Sequence, residues 1–399
     1  MAQVPKQPLG LLPKPTVRSD LTVKLELAGR MPTRTNPTSS FVAGSRLLLI
    51  DQGGYLYKWD GAQATPLITP KTLPAGVSLT GPEGLLNAAA DSTGRKVYAV
   101  FISSSTPRGV ARLNSPHAES YAWYVLYEFA FDGDTLTQPR AIVALQARED
   151  GHTGGGLAVL RDGSVLFSIG DNGDSYEDGR EYSQNPSVYL AKIVRVDPAN
   201  GAARAVAVGV RAAQRLVIDE VGGEQWVGFV DPGGWVAEEL NGITVSDLVS
   251  GPSPANFGWG RNADGKAREG TIYIDRLGNA EARIPAPEPG FREPLAEFGR
   301  DAQLPVAVSG PVRSSQFSRI GFLFGDLVSG ALYAIAGPPA QTRQDVLEVN
   351  LVDAQSQPVN LKALAGGNRP DPRFFNFPDG TAGVLLERTG EFYRLSELR

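Results

Sequence analysis

One stretch of the 399-residue chain gathers the groups best suited to moving a proton: residues 150–174, DGHTGGGLAVLRDGSVLFSIGDNGD. It contains His152, one of only two histidines in the sequence, followed by Thr153 and three glycines. An imidazole exchanges a proton near neutral pH, and glycines let a bulky flat ligand approach the backbone closely. The same residues also read as a histidine satisfying a turn, with the glycines as tight corners of a β protein. Two apolar runs follow, Leu157–Leu160 and Val165–Ile169, split by a turn at Asp162-Gly163. Both read as strands.

Other chemistry finds less support. The acidic run DNGDSYEDG (171–179) fails the EF-hand pattern at Gly173 and Ser175, and reads as a solvated loop. His117, in NSPHAES, has no partner motif and reads as a surface loop residue. With two histidines a zinc site would need mostly carboxylates, which such sites seldom use, and the absence of cysteine excludes a disulfide, a thiolate metal site and a cysteine nucleophile. No G-x-S-x-G, P-loop or dinucleotide-binding glycine motif occurs in a strand–helix context. Of the tryptophans at 59, 123, 226, 235 and 259, Trp235 is the best candidate to stack on a sugar, because glycines precede it; the others read as core.

These groups need a scaffold, and the punctuation of the chain indicates its type. The 46 glycines and 30 prolines are scattered, which suits many tight turns between short strands. A strand–turn–strand pattern recurs at 43–61, 91–101, 161–171, 215–231, 317–337 and 378–395. Six antiparallel units, each unable to bury both faces alone, predict an all-β, six-bladed β-propeller over residues 41–399. Two packed β sandwiches are the competing architecture. Residues 1–40 read as an extended N-terminal arm, with prolines at 5, 8, 13 and 15, and a first strand. Insertions near 103–125, 174–190 and 250–300 read as loops, where function commonly sits. The formal charge of −5 argues against nucleic acid and anionic membrane surfaces as partners, and no apolar run approaches the length of a membrane helix. The Pro-rich polar start is consistent with Met1 replacing a removed export signal, hence a periplasmic or secreted protein.

Taken in order, several segments resemble the soluble quinoprotein glucose dehydrogenases and aldose sugar dehydrogenases, the glucose/sorbosone dehydrogenase family. They are GPEGLLNAAADSTGRKVYAVFIS (81–103), HTGGGLAVLRDG (152–163), IGDNGD (169–174), AKIVRVDPANG (191–201), GVRAAQRL (209–216), EELN and NFGWG (238–241 and 256–260), GDLVSGALYAI (325–335) and GGNRPDPRFFNFPDG (366–380). The resemblance implies a propeller carrying pyrroloquinoline quinone (PQQ) over one end of its channel, aided by calcium. It implies oxidation of an aldose C1 hydroxyl to a lactone, with an external electron acceptor. His152 matches the family's base, and Asp150 lies near the position of an acidic residue that orients it. Arg211, Arg369 and Arg373 fall on arginine positions suited to PQQ's carboxylates. In the segment 231–241, Pro232, Gly233, Glu238 and Glu239 are the expected calcium ligands. The chain departs from the family pattern at Ala212, where an asparagine is usual, at Val328, where a lysine contacts the quinone, and at Pro82, where the family often has a polar residue. A propeller of the same descent that has lost PQQ and binds a carbohydrate or a protein partner is the alternative.

Overall fold

A computed structural model of the chain describes residue 12 and residues 14–32, 36–80, 84–116, 122–148, 151–173, 182–234, 236–261, 267–274, 280–284, 288–299, 307–340 and 342–398. Among these the fold is nearly all β. The recurring turns join successive antiparallel strands, as at Arg46–Asp51 with Tyr55–Trp59 and at Ile320–Asp326 with Leu332–Ala336. Two-residue spacing of apolar side chains and glycine-bearing turns are the local causes.

The strands assemble into sheets in chain order. The first runs Pro37–Ala43, Arg46–Asp51, Tyr55–Trp59, Ala64–Ile68; the second begins at Leu85–Ala90, the third at Gly154–Val159 and the fourth at Val217–Val221. The last two begin at Val308–Val312 and Pro372–Asn376 and are fused into one eight-stranded sheet. The fusing element is Thr16–Arg30, which pairs parallel with Leu347–Val352 on one side and antiparallel with Glu391–Leu398 on the other. Within residues 1–40, the strand Thr16–Arg30 is thus an integral part of this sheet. The alternation of Leu21, Val23 and Leu25, all buried, supplies the reason, since one face of this strand enters the core.

Each sheet packs its apolar face on the next. Phe41, Leu48 and Ile50 meet Val97, Phe101 and Val125. Val100 and Leu126 meet Phe167 and Val194, and Leu166 and Ile193 meet Val227 and Phe229. Val230 and Leu240 meet Phe322 and Phe324, and Leu323 and Ala334 meet Phe374 and Val384. Phe375 and Phe392 return to Leu47 and Leu49 of the first sheet. The succession closes on itself, which two face-packed sandwiches cannot do. The fold is a β-propeller. A further small sheet, Gly260–Arg261, Ala267–Glu269, Ile272–Ile274 and Ala280–Arg283, occupies the predicted insertion after residue 250.

Candidate functional site

His152 lies just before the strand Gly154–Val159, and Asp171 just after Val165–Ile169. In this antiparallel pair Gly154 faces Ile169, so two residues outward position 152 falls opposite position 171. The side chains meet there: His152 Nδ1 lies 2.8 Å from Asp171 Oδ1. His152 adopts φ +44°, a left-handed conformation that turns its ring out of the strand direction. Gly170 permits this, because a Cβ at that position would overlap the His152 carbonyl oxygen.

The carboxylate is fixed from several sides. Asp171 Oδ1 also accepts from Gly173 N at 3.0 Å, and Oδ2 accepts from Trp259 Nε1 at 2.9 Å. Asp171 is buried, whereas the imidazole is about one-third exposed (34%), so one edge of the ring is left for a ligand. A carboxylate on Nδ1 holds the proton there and leaves Nε2 as an acceptor. That acceptor faces Arg211, whose Nη2 lies 2.7 Å from His152 Nε2.

Arg211 is itself held firmly. Its backbone N–H and that of Ala212 donate to the two oxygens of buried Asp231 at 2.7 and 2.8 Å, its Nη1 donates to the Pro232 carbonyl at 3.0 Å, and its guanidinium stands over the Trp259 ring at 5.1 Å. Its Nε is buried with no hydrogen-bond partner. Burial pushes the Asp231 carboxyl up to about 7, against the opposing pull of the Ala212 and Arg211 N–H groups and the Arg211 charge. The backbone amide of Ala212 thus does part of the work of orienting Arg211, although its side chain offers no amide.

The predicted residues separate into two sets. His152, Arg211 and Pro232 come together. Arg373 lines a cavity on the channel with Thr153, Gly154 and Gln214, and its guanidinium binds Glu387 at 2.7 Å and the side-chain oxygen of Gln214. Arg369 stands apart, half exposed and paired with Asp371 at 2.7 Å. The Val328 amide donates to Asp326 in a turn. Asp150, Pro82, His117, Trp235 and residues 174–179 lie outside the described residues, and the carboxylate found on His152 is Asp171.

Of the expected calcium ligands, Pro232 stands opposite Glu238 in adjacent strands, with Gly233 next along the chain. Glu238 and Glu239 are consecutive in the strand Ala237–Thr244 and therefore point to opposite faces. Glu238 accepts from Val308 N in the next sheet at 3.0 Å, while Glu239 binds Asn241 Nδ2 at 3.2 Å. Burial, with the Asp231 and Glu297 carboxylates nearby, raises the Glu239 carboxyl well above its usual range. The Pro232 carbonyl faces the Arg211 guanidinium, and Gly233 packs beside the Ala237 carbonyl and Glu269. Among the described residues no group of three or more histidines and carboxylates is placed to hold a metal ion.

Sequence reading missed Asp171, Asp231 and Trp259 as functional residues. The first two stand in readable motifs, IGDNGD and FVDP, at the ends of strands where side chains emerge beside the channel.

Comparison with known proteins shows the family of the chain. The sequence profile named glucose/sorbosone dehydrogenase matches residues 36–287. The chain belongs to this family. No curated protein matches the sequence. Among solved structures, the PQQ-bound aldose sugar dehydrogenase of Streptomyces coelicolor is 18% identical with a TM-score of 0.63, covering 96% of this chain and all (100%) of its own. An oxidoreductase of Thermus thermophilus described as a putative glucose dehydrogenase is 20% identical with a TM-score of 0.59, covering 94% of this chain and 99% of its own. The PQQ domain of a Coprinopsis cinerea pyranose dehydrogenase is 12% identical with a TM-score of 0.57, covering 98% and 99%. At these identities the likeness is one of fold. The family assignment carries the general class, a sugar oxidoreductase.

Proposed function

We propose that this member of the glucose/sorbosone dehydrogenase family is a six-bladed propeller that oxidises the C1 hydroxyl of an aldose to a lactone, using PQQ and an external electron acceptor outside the cytoplasm. The observation that carries this reading is the imidazole held between Asp171 and Arg211, with Nδ1 committed to the carboxylate and Nε2 available as a base. The blade number is supported by the central cavity, to which six first strands or the segments leading into them contribute, from Thr38 through Asn87, Thr153, Gln214 and Ser309 to Arg373.

The donor set fits a planar polyanion. Arg211 has an unpartnered buried Nε, and Arg373 keeps N–H groups on its terminal nitrogens beyond those given to Glu387 and Gln214. PQQ, when bound, supplies the two-electron acceptor that takes hydride from the sugar C1. The protein's own part is proton handling and charge placement. The sugar hydroxyl displaces Arg211 Nη2 as the donor to His152 Nε2, and Nε2 takes its proton. Asp171 stabilises the resulting imidazolium and prevents the ring from turning. Arg211, freed from Nε2 but still on the Pro232 carbonyl and the Trp259 face, stands beside the oxygen that acquires negative charge.

A propeller that has lost the quinone is the second reading. It is favoured by the pairing of Arg369 with Asp371 and of Arg373 with Glu387, which satisfies in-chain charges that a polyanion would otherwise use. Titration of the purified protein with PQQ in calcium, followed by dye-linked oxidation of aldoses, separates the two. Binding with turnover lost in His152→Ala supports the dehydrogenase; a flat titration with no turnover on any aldose supports the binding propeller.

A further inference from the structure

Beside the His152 cluster, Arg215 lines both a cavity of about 60 Å³ reaching Thr153 and a second one, of about 260 Å³, bordered by Leu157 and Leu216. We propose that Arg215 and Thr38 form a binding site for a small inorganic monoanion, a halide such as chloride, in the cavity that both line. The proposal is independent of the dehydrogenase reading.

The argument is one of uncompensated charge. Arg215 Nε donates to the Pro311 carbonyl at 3.0 Å, and this is the one hydrogen bond its guanidinium makes among the described residues. No carboxylate pairs with it there, and no carboxylate is among the residues lining the 60 Å³ cavity. The other guanidinium at that cavity, Arg373, is already neutralised by Glu387 at 2.7 Å. One partly exposed positive charge therefore lines this cavity with its terminal N–H groups unfilled by any acceptor among the described residues. A guanidinium does not release its proton in response, so it needs a counter-ion or water. Burial pushes its pKa down to about 10, the direction expected where no anion of the protein balances it.

A second, separate group points to the same cavity. Thr38 Oγ1, also on its lining, is buried without any hydrogen-bond partner, and a hydroxyl can turn its proton toward an anion. Asn87 and Ser309, which also line it, are committed elsewhere, to the Gln214 and Pro372 carbonyls. The site thus offers one net positive charge and neutral donors. A monoanion balances that charge; a dianion would leave a buried negative one. The cavity of about 60 Å³ has room for an ion or a few waters.

Two measurements on the full-length protein without added cofactor test this. In crystals soaked in sodium bromide, the anomalous difference map should show a peak within hydrogen-bonding distance of the Arg215 guanidinium. At constant ionic strength, exchanging sodium isethionate for sodium chloride should raise the wild-type Tm by about 2 °C, the size expected when a ligand at several times its Kd binds only the folded state. Arg215→Gln should abolish the shift. Thr38→Val, which keeps the cation and is the safer variant for folding, should reduce it. No bromide peak in the channel, or a chloride shift that survives in Arg215→Gln at full size, would overturn the proposal.

Discussion

Replacing Asp171 by asparagine isolates the orientation of His152 from its presence. The carboxylate accepts three hydrogen bonds, from His152 and Gly173 on Oδ1 and from Trp259 on Oδ2. Asparagine offers one accepting oxygen. If that oxygen stays toward His152, the amide NH₂ opposes Trp259 Nε1–H, and a buried donor loses its acceptor at a cost of about 1–3 kcal/mol. If it turns toward Trp259, the NH₂ faces His152 and Gly173, and the imidazole must move its proton to Nε2 to accept at Nδ1. Nε2–H would then point at Arg211 Nη2, and the basic lone pair is lost. A histidine base locked in the wrong tautomer loses on the order of 10⁴-fold in turnover, as an Asp-to-Asn change does in serine proteases. Aldose oxidation with PQQ, calcium and a dye acceptor reads this loss. Because the chain has only two histidines, ¹⁵N NMR of the ring nitrogens reads the tautomer directly, with or without turnover. The expectation is an Nδ1–H form for His152 in the wild type and a population of Nε2–H in Asp171→Asn. An unchanged tautomer together with turnover within about tenfold of wild type would refute the assigned role of Asp171.

Gly170→Ala should destabilise the fold by about 2–3 kcal/mol, because the new methyl overlaps the His152 carbonyl and only backbone movement relieves it; urea unfolding midpoints measure this. Trp259→Phe removes both the donor to Asp171 and the preferred partner of the Arg211 cation, so turnover should fall at least about tenfold with a stability loss of about 1–3 kcal/mol. Lys192 gives a pH signature. Its ammonium is buried, donates to the carbonyls of Tyr182, Ser183 and Leu190 at 2.8, 2.9 and 2.6 Å, and is pushed down by burial to about 7. The unfolded chain keeps that proton to about pH 10, so between about pH 7 and 10 it binds more protons than the folded one, and this group makes stability rise with pH by up to about 1.4 kcal/mol per unit. Lys192→Met should remove the rise between pH 7 and 9 in denaturant titrations; a slope equal to wild type would contradict the assignment.

Much of this architecture was legible in the order of residues. The six strand–turn–strand units fall in the sheets, because alternation and turn glycines are local properties that a short segment carries by itself. His152 was legible as chemistry through residue type and the glycines that follow it, and Arg211 through the resemblance of GVRAAQRL to the family's segment. The run 16–30 was legible too, as alternating apolar positions, but not its place: joining two sheets across the chain termini requires partners more than 300 residues away.

What the sequence by itself determined is the repeating unit and the presence of an imidazole, guanidinium groups and carboxylates near strand ends. Which of them meet was decided by the tertiary structure. The strand register sets Asp171, 19 residues along the chain, opposite His152, and the Trp259 indole reaches that carboxylate from 88 residues away. Glu238 and Glu239 are adjacent in sequence and read as interchangeable candidates, but the strand pleat turns one toward Val308 and the other toward Asn241. Arg215 shows the same limit in the other direction: it reads as an ordinary charged residue, and only closure of the ring places it in a channel without a balancing carboxylate. Periodicity encodes which face of a strand is buried; the meeting of strand ends depends on register and on how the sheets close, and those are properties of the whole packed ring.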